Sequence, residues 1–130
     1  MILHDVNHWI TTALIGNLVV LMDSMSRPIS DVMKVQMRQL YKAKIDSRGE
    51  LVVNILPCAQ QTNMVDCGVY AAAFAFHLAL GGVGQTFMNY DASLMRVHLC
   101  EALDSGTVTT FPVKKTGKRG RKPQPSKVVI

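Results

Sequence analysis

The 130-residue chain has little of what anchors secreted and membrane proteins. Its three cysteines, Cys58, Cys67 and Cys100, form an odd, widely spaced set with no C-x-x-C pair. That argues against a disulfide framework and for a reducing compartment, and it leaves zinc without paired ligands, so neither a metal nor a cofactor is expected. The longest apolar run, residues 69–80, has twelve residues and is interrupted by His77. It is too short to span a bilayer. At the N-terminus no basic segment leads into an apolar one, and His4 and Asp5 stand there instead, so no signal peptide is expected. Internal repeats are also missing. A soluble intracellular protein without membrane contact is the expectation.

Acidic residues are lacking from one end of the chain. Residues 1–110 hold seven Lys/Arg against all nine acidic residues, a net charge of −2. The last twenty residues hold the other seven basic groups and no acid, which gives +7 there and +5 in total. The pI of about 9.3 is therefore a property of the tail. An apolar content of 48% in a chain of this length predicts one packed domain.

Two runs rich in β-branched and apolar residues, 8–15 and 18–23, flank Gly16-Asn17, a pattern for a two-residue hairpin. Pairing centred on that turn brings His8 and Asp23 to the same end of the ribbon, within about one residue of each other. Pro28 followed by an apolar stripe at Ile29, Val32, Met33, Met37, Leu40 and Tyr41 predicts a helix over about 28–43. Residues 50–56 form a third strand candidate, stopped by Pro57. Residues 67–80 are apolar on every face, which marks an enclosed helix ended by Gly81-Gly82. Asp91 caps a last helix through roughly 104, with Leu94, Met95, Val97, Leu99 and Leu103 to bury. From Gly106 onward order is expected to fade. The expected division is thus a folded domain over 1–105 and a basic, disordered tail over 106–130.

The enclosed helix begins at Cys67. A thiol at a helix N-terminus meets the positive end of the macrodipole, which favours the nucleophilic thiolate. His8 and Asp23 on strands can supply a base and a group to orient it, and the Gln61 amide with the Cys67 backbone N–H can hold an oxyanion. Gly68 removes a side chain where a substrate backbone must approach.

His8-Trp9, Asp23-Ser24 and the segment with Gln61, Asn63, Asp66, Cys67, Gly68, Val69 and Tyr70 resemble the ubiquitin-like-protein-specific cysteine proteases, whose best-known members process and remove SUMO. The order His, Asp, Gln, Cys is that family's and not papain's, where cysteine comes first. The resemblance covers residues 2–104. It implies an α+β, papain-like cysteine protease fold, a small sheet with a central buried helix that carries the nucleophile. It further implies His8 as base, Asp23 as its orienter, Gln61 in the oxyanion hole, Cys67 as nucleophile, and Trp9 as a wall of the tunnel that admits a Gly-Gly tail. The expected partner is SUMO or another ubiquitin-like protein and its conjugates. Two departures stand out. The hairpin between His8 and Asp23 is shorter than in typical SUMO proteases, and the family's domain begins well before its histidine, whereas Met1 is seven residues from His8. The expectation is a fragment, a truncated gene product or a degenerate copy. The alternative function is a catalytically inactive modifier-binding or chromatin-associated module derived from such a protease.

Bland readings stand beside these. A free cysteine is usually a small buried hydrophobe, and a strand tryptophan is often core. Cys58 reads as incidental, His77 as a hydrogen-bonded core residue, and Asp66 as a cap for the central helix. The tail residues Lys118, Arg119, Arg121 and Lys122 partly resemble an AT-hook and equally fit a nuclear-import signal, with a solubilising arm as the plain reading. A nuclear or nuclear and cytoplasmic location with weak DNA contact is the expectation, and a DNA-binding accessory of a mobile element is the third hypothesis.

Overall fold

The computed structural model describes residues 1–82, 88–115 and 124–130. Five strands form one mixed sheet in the order β1-β2-β3-β4-β5: β1 (Ile2–Asp5), β2 (His8–Ile15), β3 (Leu18–Met22), β4 (Val52–Ile55) and β5 (Ser126–Val129). Neighbours are antiparallel except β3 and β4, which run parallel and are joined by a crossover through α1 (Asp31–Leu40). Two further helices, α2 (Cys67–Ala79) and α3 (Ala92–Ser105), follow β4.

The pleat of β2 and β3 sends side chains to two separate cores. On one face Ile10, Val19, Leu21 and Val53 meet Met33, Met37 and Tyr41 from α1 and its C-terminal end. On the other, Val20 and Met22 meet Val69, Tyr70, Ala73 and Phe74 of α2, with Met95 of α3, Tyr90 and Phe111 beyond. This layering explains why α2 is apolar all round: sheet lies on one side of it and α3 on the other. Adjacent threonines on β2 tie both layers down. Thr11 Oγ1 donates to the Ala71 carbonyl at 2.7 Å, and Tyr41 Oη donates to Thr12 Oγ1 at 2.8 Å.

Several sequence expectations need correction. The first helix starts at Asp31, because Ser30 rather than the segment at Pro28 caps it by accepting the Met33 N–H at 3.2 Å. On α3 only Met95 and Ala102 are buried, while Leu94, Val97 and Leu103 face outward. Their spacing spreads around the helix, and the single contact face toward α2 is narrow. Strand β1 was not expected. It pairs with β2 through a two-residue turn at Val6 and Asn7, both with positive φ, of which the β-branched Val6 at 24° is the strained one.

The expected disordered tail is also overturned at both ends of its described part. Phe111 is buried, Tyr90 and Val113 form a β-bridge, and Ser126–Val129 pairs antiparallel with β4 as an edge strand. The Leu51 and Ile130 backbones exchange hydrogen bonds of 3.0 and 2.9 Å. Val128 and Ile130 pack against the Leu51 and Val53 core, and this apolar cover with a full ladder outweighs the basic composition of the preceding segment. Lys118, Arg119, Arg121 and Lys122 lie outside the described residues.

Candidate active site

The β2–β3 register pairs Thr11 with Met22, so Asp23, one step past the strand, comes opposite Ile10 and two positions from His8. That differs from the one-residue offset expected from the turn, and the parity matters. An even offset keeps both side chains on one face of the ribbon, whereas an odd one would have put them on opposite faces. Both residues are 6% exposed, and His8 Nε2 lies 3.0 Å from Asp23 Oδ1. The contact has the distance of an ion pair without hydrogen-bond alignment, and neither ring nitrogen of His8 has a hydrogen-bond partner among the described residues.

Asp23 is fixed by its own main chain. Its Oδ1 accepts the Met25 N–H at 2.8 Å and its Oδ2 accepts the Arg27 N–H at 2.9 Å. Its carbonyl in turn accepts from Gln60 Nε2 at 3.0 Å and from Cys58 Sγ at 3.3 Å. Cys58 is therefore a clamp on the backbone of Asp23, a role its sequence context did not signal. Burial pushes its thiol up to about 12, so it stays protonated at neutral pH.

Because successive residues of β2 face opposite ways, the His8-Trp9 pair is split. Trp9, 40% exposed, stacks on His4 with ring centroids 4.1 Å apart and lies over Gly68, where an added Cβ would stand 3.6 Å from the indole. It is a surface residue beside the helix start and not core. The N-terminus of α2 carries Cys67 to the same end of the sheet. Its Sγ, 4% exposed as a residue, donates to the Asn7 carbonyl at 3.8 Å. The thiol thus rests against the residue next to His8 rather than on the imidazole itself.

Gln61 is joined to Asp23 through the following serine: the Gln61 N–H donates to the Ser24 carbonyl at 2.9 Å, and the buried Ser24 Oγ donates to Gln61 Oε1 at 2.5 Å. Its Nε2 donates to the Asn63 carbonyl at 2.7 Å, which occupies one of two amide hydrogens. The Cys67 N–H, at the first position of α2, belongs to the group of helix N-terminal donors without an intrahelical acceptor. One Gln61 amide hydrogen and the Cys67 N–H are thus left without an acceptor among the described residues.

Asp66 does not cap α2 with its side chain. Its carboxylate turns outward to Asn63 Nδ2, at 2.6 Å, and to the Arg96 guanidinium of α3. Those two donors hold its carboxyl below the usual range, the Asn63 hydrogen bond first and Arg96 second, against an opposing effect of burial. Arg96 has no local sequence signal, since it is thirty residues from its partner. His77, expected to be hydrogen-bonded, has an Nε2 that is buried and unpartnered among the described residues, with Gly82 packed onto its ring.

A helix-borne thiol, a buried histidine–carboxylate pair and a loop amide at one end of a mixed sheet are the residue types used in thiol-dependent acyl transfer. The family model for the Ulp1 protease family, C-terminal catalytic domain, matches residues 1–105. The chain belongs to the Ulp1 protease family, cysteine peptidases that act on SUMO, other ubiquitin-like proteins and their conjugates. Its α+β architecture, a small mixed sheet with three helices, is compatible with that catalytic domain. No curated protein and no solved structure gives a significant match.

Proposed function

We propose that the chain is a thiol-dependent protease or isopeptidase with a papain-like arrangement, cleaving after the C-terminal glycine of SUMO or a related modifier. The observation that carries this reading is the buried His8–Asp23 pair, with the Cys67 thiol at the start of α2 against the carbonyl of Asn7, the residue before His8. His8 takes the proton of Cys67, and the thiolate attacks the glycine carbonyl carbon. The Gln61 amide and the Cys67 N–H hold the oxyanion, and as it collapses the imidazolium returns its proton to the departing amine. Water, deprotonated by His8, then breaks the thioester and restores the thiol. Trp9 and Gly68 line the approach of the Gly-Gly tail, where a side chain would stand in the way. The Asp23 carboxylate, 3.0 Å from the imidazole, stabilises the charge His8 acquires.

The test is a ubiquitin-like probe bearing a C-terminal electrophile. A covalent adduct that disappears in Cys67→Ala is expected, and a folded sample that forms no adduct refutes the proposal. A second reading is favoured by one observation, the engagement of the thiol with the Asn7 carbonyl instead of His8. It is a non-catalytic modifier-binding module. Binding of SUMO without turnover, equal in wild type and Cys67→Ala, selects it.

A further inference from the structure

The loop that links Gln61 to Cys67 is held from outside by one residue of α3. Within the loop, Asn63 Oδ1 accepts the N–H groups of Val65 and Asp66, both at 3.0 Å. Arg96 closes the turn from the far side: Nε donates to Asp66 Oδ1 at 3.0 Å, and Nη2 donates to the same oxygen and to the Val65 carbonyl at 3.3 Å. The fork thus grips a side chain and a main-chain carbonyl in the two residues before the nucleophile. Met64 and Val65 are 65% and 70% exposed, so little apolar packing holds this segment down. Its geometry depends on these polar contacts.

Resting on the hydrolase reading, we propose that Arg96 is a positioning residue for the oxyanion donors: by holding Asp66 and the Val65 carbonyl it sets the Asn63 turn, and through that turn the direction of the Gln61 amide and the Cys67 N–H. It touches neither substrate nor reacting atoms. Substitution therefore affects the transition state more than ground-state binding. A lysine keeps the charge but cannot span both acceptors with a planar fork.

Arg96→Ala and Arg96→Lys in the full chain are compared with wild type by two readouts. The first is amide hydrogen exchange at Val65 and Asp66, which needs no substrate. The second is steady-state hydrolysis of SUMO carrying a fluorogenic amide on its terminal glycine. Exchange in Arg96→Ala is expected to accelerate roughly five- to tenfold, the scale for loss of a half-exposed charged pair with a main-chain hydrogen bond. The turnover number is expected to fall by a similar factor with KM within about twofold, and lysine to recover only part of it. Unchanged exchange at Val65 and Asp66 overturns the role of Arg96 whatever the turnover. An equal loss in kcat and rise in KM, or full rescue by lysine, also overturns it. No hydrolysis by wild type refutes the hydrolase reading, while the exchange comparison still decides whether Arg96 holds the loop. Should Arg96→Ala not fold, Arg96→Lys is read by the same two measurements.

Discussion

Asp23 is the residue at which fold and chemistry are hardest to separate, and its removal has a calculable cost. In Asp23→Ala two backbone donors, Met25 N–H at 2.8 Å and Arg27 N–H at 2.9 Å, lose their acceptors, and His8 loses the carboxylate 3.0 Å away. All three contacts are at a residue that is 6% exposed. Each unpaired donor in such a site costs about 1 kcal/mol, with more for the charged acceptor, so the total is about 3 kcal/mol. In a domain of this size that lowers the melting temperature by roughly 10 °C. Asp23→Asn keeps one acceptor oxygen and places an NH2 group near the other donors, so it should recover about 1 kcal/mol of that loss. The assay is urea unfolding followed by far-UV circular dichroism, with thermal melts beside it. A midpoint for Asp23→Ala within about 2 °C of wild type would refute the account of Asp23 as an anchor for the segment after β3. Turnover, measured well below either melting temperature, should drop at least about a hundredfold in both variants, because neither supplies the negative charge that a protonated imidazole needs.

Three further outcomes follow from the packing. Gly68→Ala places its Cβ at 3.6 Å from Trp9, an ordinary contact, so it should leave stability unchanged or raise it by up to about 1 kcal/mol while increasing KM for a Gly-Gly-tailed substrate; a destabilised variant with normal KM would contradict the assigned role. Deletion of residues 124–130 strips the ladder from β4 and uncovers Val53, which is fully buried, so urea unfolding should shift by about 2 kcal/mol or more, and an unchanged midpoint would show that β5 adds nothing. Cys58 is raised from 9.0 to about 12 by burial, so its contribution is fully present below about pH 9 and is lost as pH rises toward 12; Cys58→Ala should flatten that alkaline decline, and an identical slope would refute its part in it.

How much of this was readable from residues alone depends on whether the signal was local. The β2–β3 hairpin and the buried α2 announce themselves by period and by turn residues, and the hairpin brought His8 and Asp23 to one end of the ribbon, though with a two-residue offset instead of one. Strand β1 has four residues of which only Leu3 is buried, and its turn uses Val6 in a conformation that valine disfavours, so neither alternation nor turn chemistry pointed to it. Strand β5 follows a basic, proline-containing segment, and its existence is decided by the open edge of β4, a partner more than seventy residues away. The same holds within the site. Composition and spacing could name Asp66 as a helix cap, but the carboxylate goes instead to the residue that can meet it with a planar fork, and only the packing of α3 against α2 brings Arg96 there. A local cap and a distant guanidinium compete for one carboxylate, and the charged, two-point donor prevails. The charge that could have been spent on the first turn of α2 instead joins two helices at the loop before Cys67. Residues that meet a loop through such joints carry no spacing of their own, which is why Gln61 and Cys67 could be singled out in the sequence and Arg96 could not.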